Sequence, residues 1–124
     1  MDTDNKKLVM YIFVNKDLDM TKGKTSSQVA HITQQIVEEI IRQGYEIYPP
    51  PESYFTYMKW KSCCTMIILK ASENELGELM KRKDSRPFFD EGRTTQVRSG
   101  SLTVVGFLPC EEKEEFGNKY FQLL

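Results

Sequence analysis

Lys24, Gln28 and His31 stand four and three residues apart, so on a helix a cation, an amide and the chain's one histidine project from the same face. They lie in the stretch Met20 to His31, between an apolar run, Leu8 to Val14, and a long helical pattern ending near Gly44. A strand, a short Lys/Gly loop and a helix N-terminus make a place where backbone N–H groups and cationic side chains face an anion. Gly23-Lys24-Thr25 looks like the tail of a nucleotide P-loop. That motif needs a glycine five positions before Gly23, where Leu18 stands, and no glycine precedes Gly23 at all. A nucleotide-binding loop of that kind is excluded.

Asn15-Lys16-Asp17-Leu18-Asp19-Met20-Thr21-Lys22-Gly23-Lys24, followed by Gln28-Val29-Ala30-His31, resembles the opening motif of type 2 peptidyl-tRNA hydrolases. Downstream, Asp90-Glu91-Gly92-Arg93-Thr94 is similar to that family's Asp-Ala-Gly-Arg-Thr, and Gly100 to Gly106 is similar to its Gly-x-x-Thr-Val-x-Gly strand. Met66 to Ala71 resembles its central strand, so the likeness runs from Lys7 to Leu124. It implies hydrolysis of the ester that joins a peptide to the terminal ribose of tRNA, with peptidyl-tRNA as partner, no cofactor, no metal and a homodimeric assembly.

Ester hydrolysis needs an oriented water, a group that helps remove its proton, and donors at the developing oxyanion. By resemblance, the catalytic candidates are Lys24, Asp90, Thr94 and Thr103, and the substrate-binding candidates are Lys22, Gln28, His31 and Arg93. Lys24 is expected to act electrostatically on the ester or a nearby phosphate, and Asp90 to orient water or act as general base. Each also has an ordinary role: a helix-start lysine, a turn aspartate, a β-branched strand residue at Thr103, a solvated helix face at His31. The chain departs from the family pattern at Glu91, which replaces Ala, and at Ser99, which replaces Pro. One extra residue lies between Arg93 and Gly100, so either Thr94 or Thr95 takes the hydroxyl position. A weakly active or inactive relative that binds tRNA or a protein partner is the alternative reading.

Composition bounds these choices. A chain of 124 residues, 40% hydrophobic and 28% charged, suits a single globular domain, with residues 1–6 expected to be a flexible N-terminal segment. A net charge of −1 means that any surface for RNA phosphates must be local. No apolar run reaches the length of a membrane span, and the N-terminus lacks the basic-then-apolar order of a secretory signal, so a cytoplasmic setting is expected. Three cysteines, two adjacent, make no disulfide framework, and on a strand Cys63 and Cys64 would be small core residues. One histidine without a Cys-x-x-Cys pair argues against zinc. Lone Trp60 is expected to be a core or interface anchor.

The elements that must position the candidates follow from periodicity. Leu8 to Val14 reads as a first strand, and Lys22 to about Gln43 as a helix with Val29, Ile32, Ile36 and Ile40 toward the core; Gln28, His31 and Gln35 are expected roughly opposite. Gly44 is a plausible helix stop. Pro49 to Pro51 is a loop, and Tyr54 to Lys61 is ambiguous. Cys63 to Ala71 reads as a strand, Ser72 to about Lys83 as a helix opened by a Ser72/Glu75 capping box, and Arg86 to Phe89 as a short strand. Leu102 to Leu108 reads as the last strand, and Glu111 to Asn118 as a terminal helix. Strands alternating with helices predict an α/β fold: a three-layer α/β/α sandwich around a mixed sheet of about four strands, the first two parallel and the last two antiparallel.

Overall fold

A computed structural model describes residues 7–91 and 100–124. The expectations for Arg93, Thr94, Thr95 and Ser99 fall outside these residues. The elements are β1 (Leu8–Asn15), α1 (Lys22–Glu46), α2 (Glu52–Trp60), β2 (Met66–Ala71), α3 (Glu73–Leu79), β3 (Ser85–Phe89), β4 (Leu102–Phe107) and β5 (Cys110–Glu111). The main sheet has the order β2-β1-β4-β3, and β5 pairs with the start of β1. β1 runs parallel to β2, with Met10 opposite Met66 and Asn15 opposite Ala71. β4 is antiparallel to both its neighbours. The expected mixed α/β sheet is therefore present.

β1 is apolar at nearly every position because both of its faces are covered. Val9, Tyr11 and Phe13 point into one layer with Leu76, Leu79 and Phe116. Met10, Ile12 and Val14 point into the other with Ile32, Ile36, Ile40 and Trp60. The second layer is built by α1, whose approach to β4 depends on Gly106. A Cβ there would meet Ile36 Cδ1 at 2.8 Å and Ile32 Cγ1 at 3.0 Å, so a bare backbone lets the helix settle on the strand.

Several boundaries differ from the expectations. α1 does not stop at Gly44 but continues to Glu46, with the Ile47 N–H bonding Gln43 O at 3.0 Å. Gly44 serves packing instead: the Tyr54 ring from α2 occupies the space its side chain would take. Cys63 and Cys64 are not strand core. They are exposed in the turn after α2, where both backbone N–H groups bond Trp60 O at 3.1 and 2.9 Å, prolonging helical bonding rather than a ladder. Trp60 itself is buried and donates its indole N–H to Thr65 O at 2.8 Å, a core anchor. α3 opens with the expected capping box but ends at Leu79 instead of near Lys83. The expected terminal helix is also absent. Cys110 and Glu111 join the β1 ladder, and only a 3-10 turn, Glu114–Phe116, follows, holding Phe116 against Tyr11 and Phe13 at ring distances of 4.9 Å.

Candidate active site

α1 starts after Thr21, whose hydroxyl accepts the Lys24 N–H at 3.2 Å. From there the buried stripe of the helix is Lys24, Gln28, Ile32, Ile36 and Ile40, a strict four-residue spacing. Gln28 thus lies in line with the core isoleucines, 2% exposed, and not on the opposite face. The two polar members of the stripe lie at its N-terminal end, beyond the apolar core, where the sheet supplies polar partners.

Asp90, just past β3, is the partner of Lys24. Their Nζ and Oδ1 atoms are 2.6 Å apart, and both side chains are 5% exposed. The backbone of Asp90 is clamped: its N–H bonds Ser101 O at 2.8 Å and its carbonyl accepts from Gly100 N at 2.7 Å. Alternation along β3 directs Arg86, Phe88 and Asp90 at the same helix. Arg86 makes two bonds to the Glu39 carboxylate at 2.8 and 2.7 Å, Phe88 stacks on His31 with centroids 5.1 Å apart, and Asp90 takes Lys24. Arg86 holds the Glu39 carboxyl below its usual range, chiefly through these hydrogen bonds, against the opposing effect of burial.

Thr103, near the start of β4, is fully buried, and its Oγ1–H donates to Gln28 Oε1 at 2.6 Å. With Oε1 taken, the amide N–H donors are what Gln28 offers to a ligand. Asn15, at the end of β1, secures the same corner. It is 1% exposed, donates to Leu102 O at 2.9 Å and accepts from Asp17 N at 2.9 Å.

A cavity of about 470 Å³ opens at this corner, and its lining includes Lys24, Gln28, His31, Phe88, Asp90 and Glu91. Lys24, Asp90, Gln28 and His31, expected from sequence to act together, converge there. Thr103 lies beneath Gln28 and is not part of the lining; Lys22 is exposed at the helix start. Phe88 and Ser27 went unnoticed in the sequence, although the two-residue step from Phe88 to Asp90 on a strand was a usable signal. Among the described residues no group of three His, Cys, Asp or Glu side chains is arranged to hold a metal. A second, larger groove of about 590 Å³ flanks α1 on the β2 side. It is lined by residues such as Val29, Val37, Met66 and Ile68, and among the described residues no ionisable side chain lines it.

A buried lysine–carboxylate pair beside an amide donor, at the strand ends of an open α/β sheet, is equipped to orient a water and to stabilise an oxyanion. Comparison with known proteins agrees with that chemistry. The family model described as peptidyl-tRNA hydrolase PTH2 matches residues 8–116. A peptidyl-tRNA hydrolase from Thermoplasma acidophilum is 29% identical over 110 residues, covering 85% of this chain and 87% of that protein. One from Sulfurisphaera tokodaii is 28% identical over 108 residues, covering 82% and 84% respectively. The chain belongs to the peptidyl-tRNA hydrolase PTH2 family.

Proposed function

We propose that this chain carries out its family's reaction, hydrolysis of the ester between peptide and tRNA, with Lys24 and Asp90 as the catalytic residues. The observation that carries the assignment is the 2.6 Å ion pair between them on the wall of the cavity. Asp90 orients the attacking water and takes its proton; a carboxylate paired with a lysine is fixed in position for that task. The Lys24 ammonium, held in place by Asp90 Oδ1, and the Gln28 amide supply positive charge and donor character toward the ester oxygen on which negative charge develops. Thr103 acts as a positioning residue that sets the orientation of the Gln28 amide. His31, stacked on Phe88, forms an aromatic shelf at the cavity wall suited to the terminal base. Lys22, Arg93 and Thr94 or Thr95 complete the substrate contacts, by resemblance to the family.

The same reading gives peptidyl-tRNA as partner, a homodimer as assembly and the cytoplasm as location. No helix among the described residues is long and apolar enough to cross a membrane. Glu91 borders the cavity where the family motif has Ala, which places an added carboxylate beside Asp90. That observation favours the alternative, a binding-only relative, because it repels an RNA end. Cleavage of a peptidyl-tRNA by the purified wild type, with loss in Lys24→Ala, supports the hydrolase. Retained tRNA binding with no cleavage at any enzyme concentration would establish the alternative. Sedimentation velocity checks the dimer.

A further inference from the structure

The Lys24–Asp90 cleft is not the only polar cavity at its end of the sheet. A second one, of about 350 Å³, opens where the ends of β1 and β2 meet the C-terminal tail, and its lining includes Lys16, Lys70, Lys119, Glu75 and Gln122. The three lysines come from three segments: the turn after β1, strand β2 and the tail. The tail is fastened along the β2 edge by Lys70 N–H to Gln122 O at 2.8 Å and Leu124 N–H to Ile68 O at 3.0 Å, which brings Lys119 to the cavity.

All three lysines are exposed, and among the described residues none has its ammonium in an ion pair or hydrogen bond. Lys7, Lys24 and Lys81, by contrast, each meet a carboxylate. The acidic side chains nearby are each held by a backbone N–H rather than by a lysine. Glu75 lines the cavity, but one of its oxygens accepts the Ser72 N–H at 2.8 Å in the capping box. Asp17, next to Lys16 in sequence, accepts the Glu73 N–H at 2.8 Å. Three lysines thus border a polar cavity with one lining carboxylate among the described residues, an excess of positive charge that an anion would balance. Lysine binds phosphate as a point charge.

The location selects the anion. Lys70 lies opposite Val14 and Val14 opposite Val104, the neighbour of Thr103, so this cavity and the cleft open at the same end of the sheet. Three inter-strand steps separate β2 from β3, about 14 Å at the usual strand spacing. The two cavities are therefore close enough for one polyanion to touch both. We infer that the Lys16–Lys70–Lys119 cavity is a phosphate subsite that holds a backbone phosphate of the tRNA while the 3′ ester lies against the Lys24–Asp90 pair. This rests on the hydrolase reading for its substrate but is read out by binding alone.

The test compares wild type with a triple variant, Lys16→Gln, Lys70→Gln and Lys119→Gln, and with the corresponding Lys→Arg triple. Uncharged tRNA is titrated across a salt series, and hydrolysis is measured on peptidyl-tRNA and on a peptidyl ester of adenosine, which reaches only the cleft. The Gln triple is expected to bind tRNA at least tenfold more weakly, with a log K against log salt slope shallower by about one to two units. Its KM for peptidyl-tRNA should rise while cleavage of the short ester and the melting temperature stay at wild-type values; the Arg triple should restore binding. tRNA affinity within twofold of wild type and an unchanged slope would overturn the subsite. So would saturable binding of inorganic phosphate to the lysines with tRNA affinity indifferent to them. If wild type cleaved neither ester while the Gln triple still lost tRNA affinity, the hydrolase reading would fall and the phosphate subsite would stand.

Discussion

At the scale of single residues, the chemistry depends on two charges that are also buried. Lys24 and Asp90 are each only 5% exposed at the side chain, so they bear on stability as well as on chemistry. Lys24→Ala or Asp90→Asn should lower turnover by roughly a hundredfold or more, the scale of losing a general base or an oxyanion donor. Each should also destabilise the fold by about 3 kcal/mol, because the surviving charge is left uncompensated inside the protein. The double variant Lys24→Met, Asp90→Asn removes both charges, so its melting temperature should recover much of that loss while activity stays absent. Equal melting temperatures for all three variants would show that the pair is solvated in solution. Thr103 tests positioning rather than chemistry. Thr103→Val keeps the shape but removes the donor to Gln28 Oε1, and should raise KM for peptidyl-tRNA about tenfold, with Thr103→Ser restoring it.

At the scale of elements, β3 and α1 are joined by paired side chains whose strength depends on pH. The Glu39 carboxyl, held below its usual range by Arg86, contributes stability that is complete above the ordinary glutamate value and is lost as pH falls through the lowered one. Melting temperature followed between about pH 3 and 7 should fall on the acid side less steeply for Glu39→Gln than for wild type. Glu39→Gln should already be less stable at neutral pH, by about 1 kcal/mol. Parallel curves would mean that the pair does not persist in solution. The contact of α1 with β4 sets a second expectation. Gly106→Val places methyl groups where Ile32 and Ile36 already sit and should destabilise by about 2 kcal/mol, measured by urea unfolding, despite the better strand propensity of valine.

For the whole molecule, binding a polyanion is a problem of charge placement, since the net charge is −1. Local basic groups must hold the RNA against an acidic average. tRNA affinity should therefore fall as salt rises. Charge reversal at Lys22, at the exposed start of α1, should weaken binding, whereas reversal at Lys113, in the acidic stretch after β5, should not. Fluorescence titration at several salt concentrations reads both; salt-independent affinity would count against phosphate tracking.

Local pattern alone was enough for the existence of the four strands of the main sheet, for the parallel crossover through α1 and for the Ser72 cap, because strand alternation, helix period and capping act between residues close in sequence. The spacing of Lys24, Gln28 and His31 likewise placed a polar group at the helix start before any contact was known. Tertiary structure decided what such short-range rules do not contain. The four-residue step from Gln28 to Ile32 puts that amide on the buried stripe, yet its polarity pointed to solvent until Thr103, 75 residues away, supplied a partner. Lys24 is buried for the same reason, through Asp90, 66 residues on. The acidic stretch after Pro109 reads as a helix by itself, but pairing of Cys110 and Glu111 with β1, and burial of Phe116, outweigh that preference. Gly44 looks like a stop and is a packing gap for Tyr54. Helix ends, buried charges and close approaches are set by which distant side chain arrives, because polar burial is tolerated only where a partner is already in place.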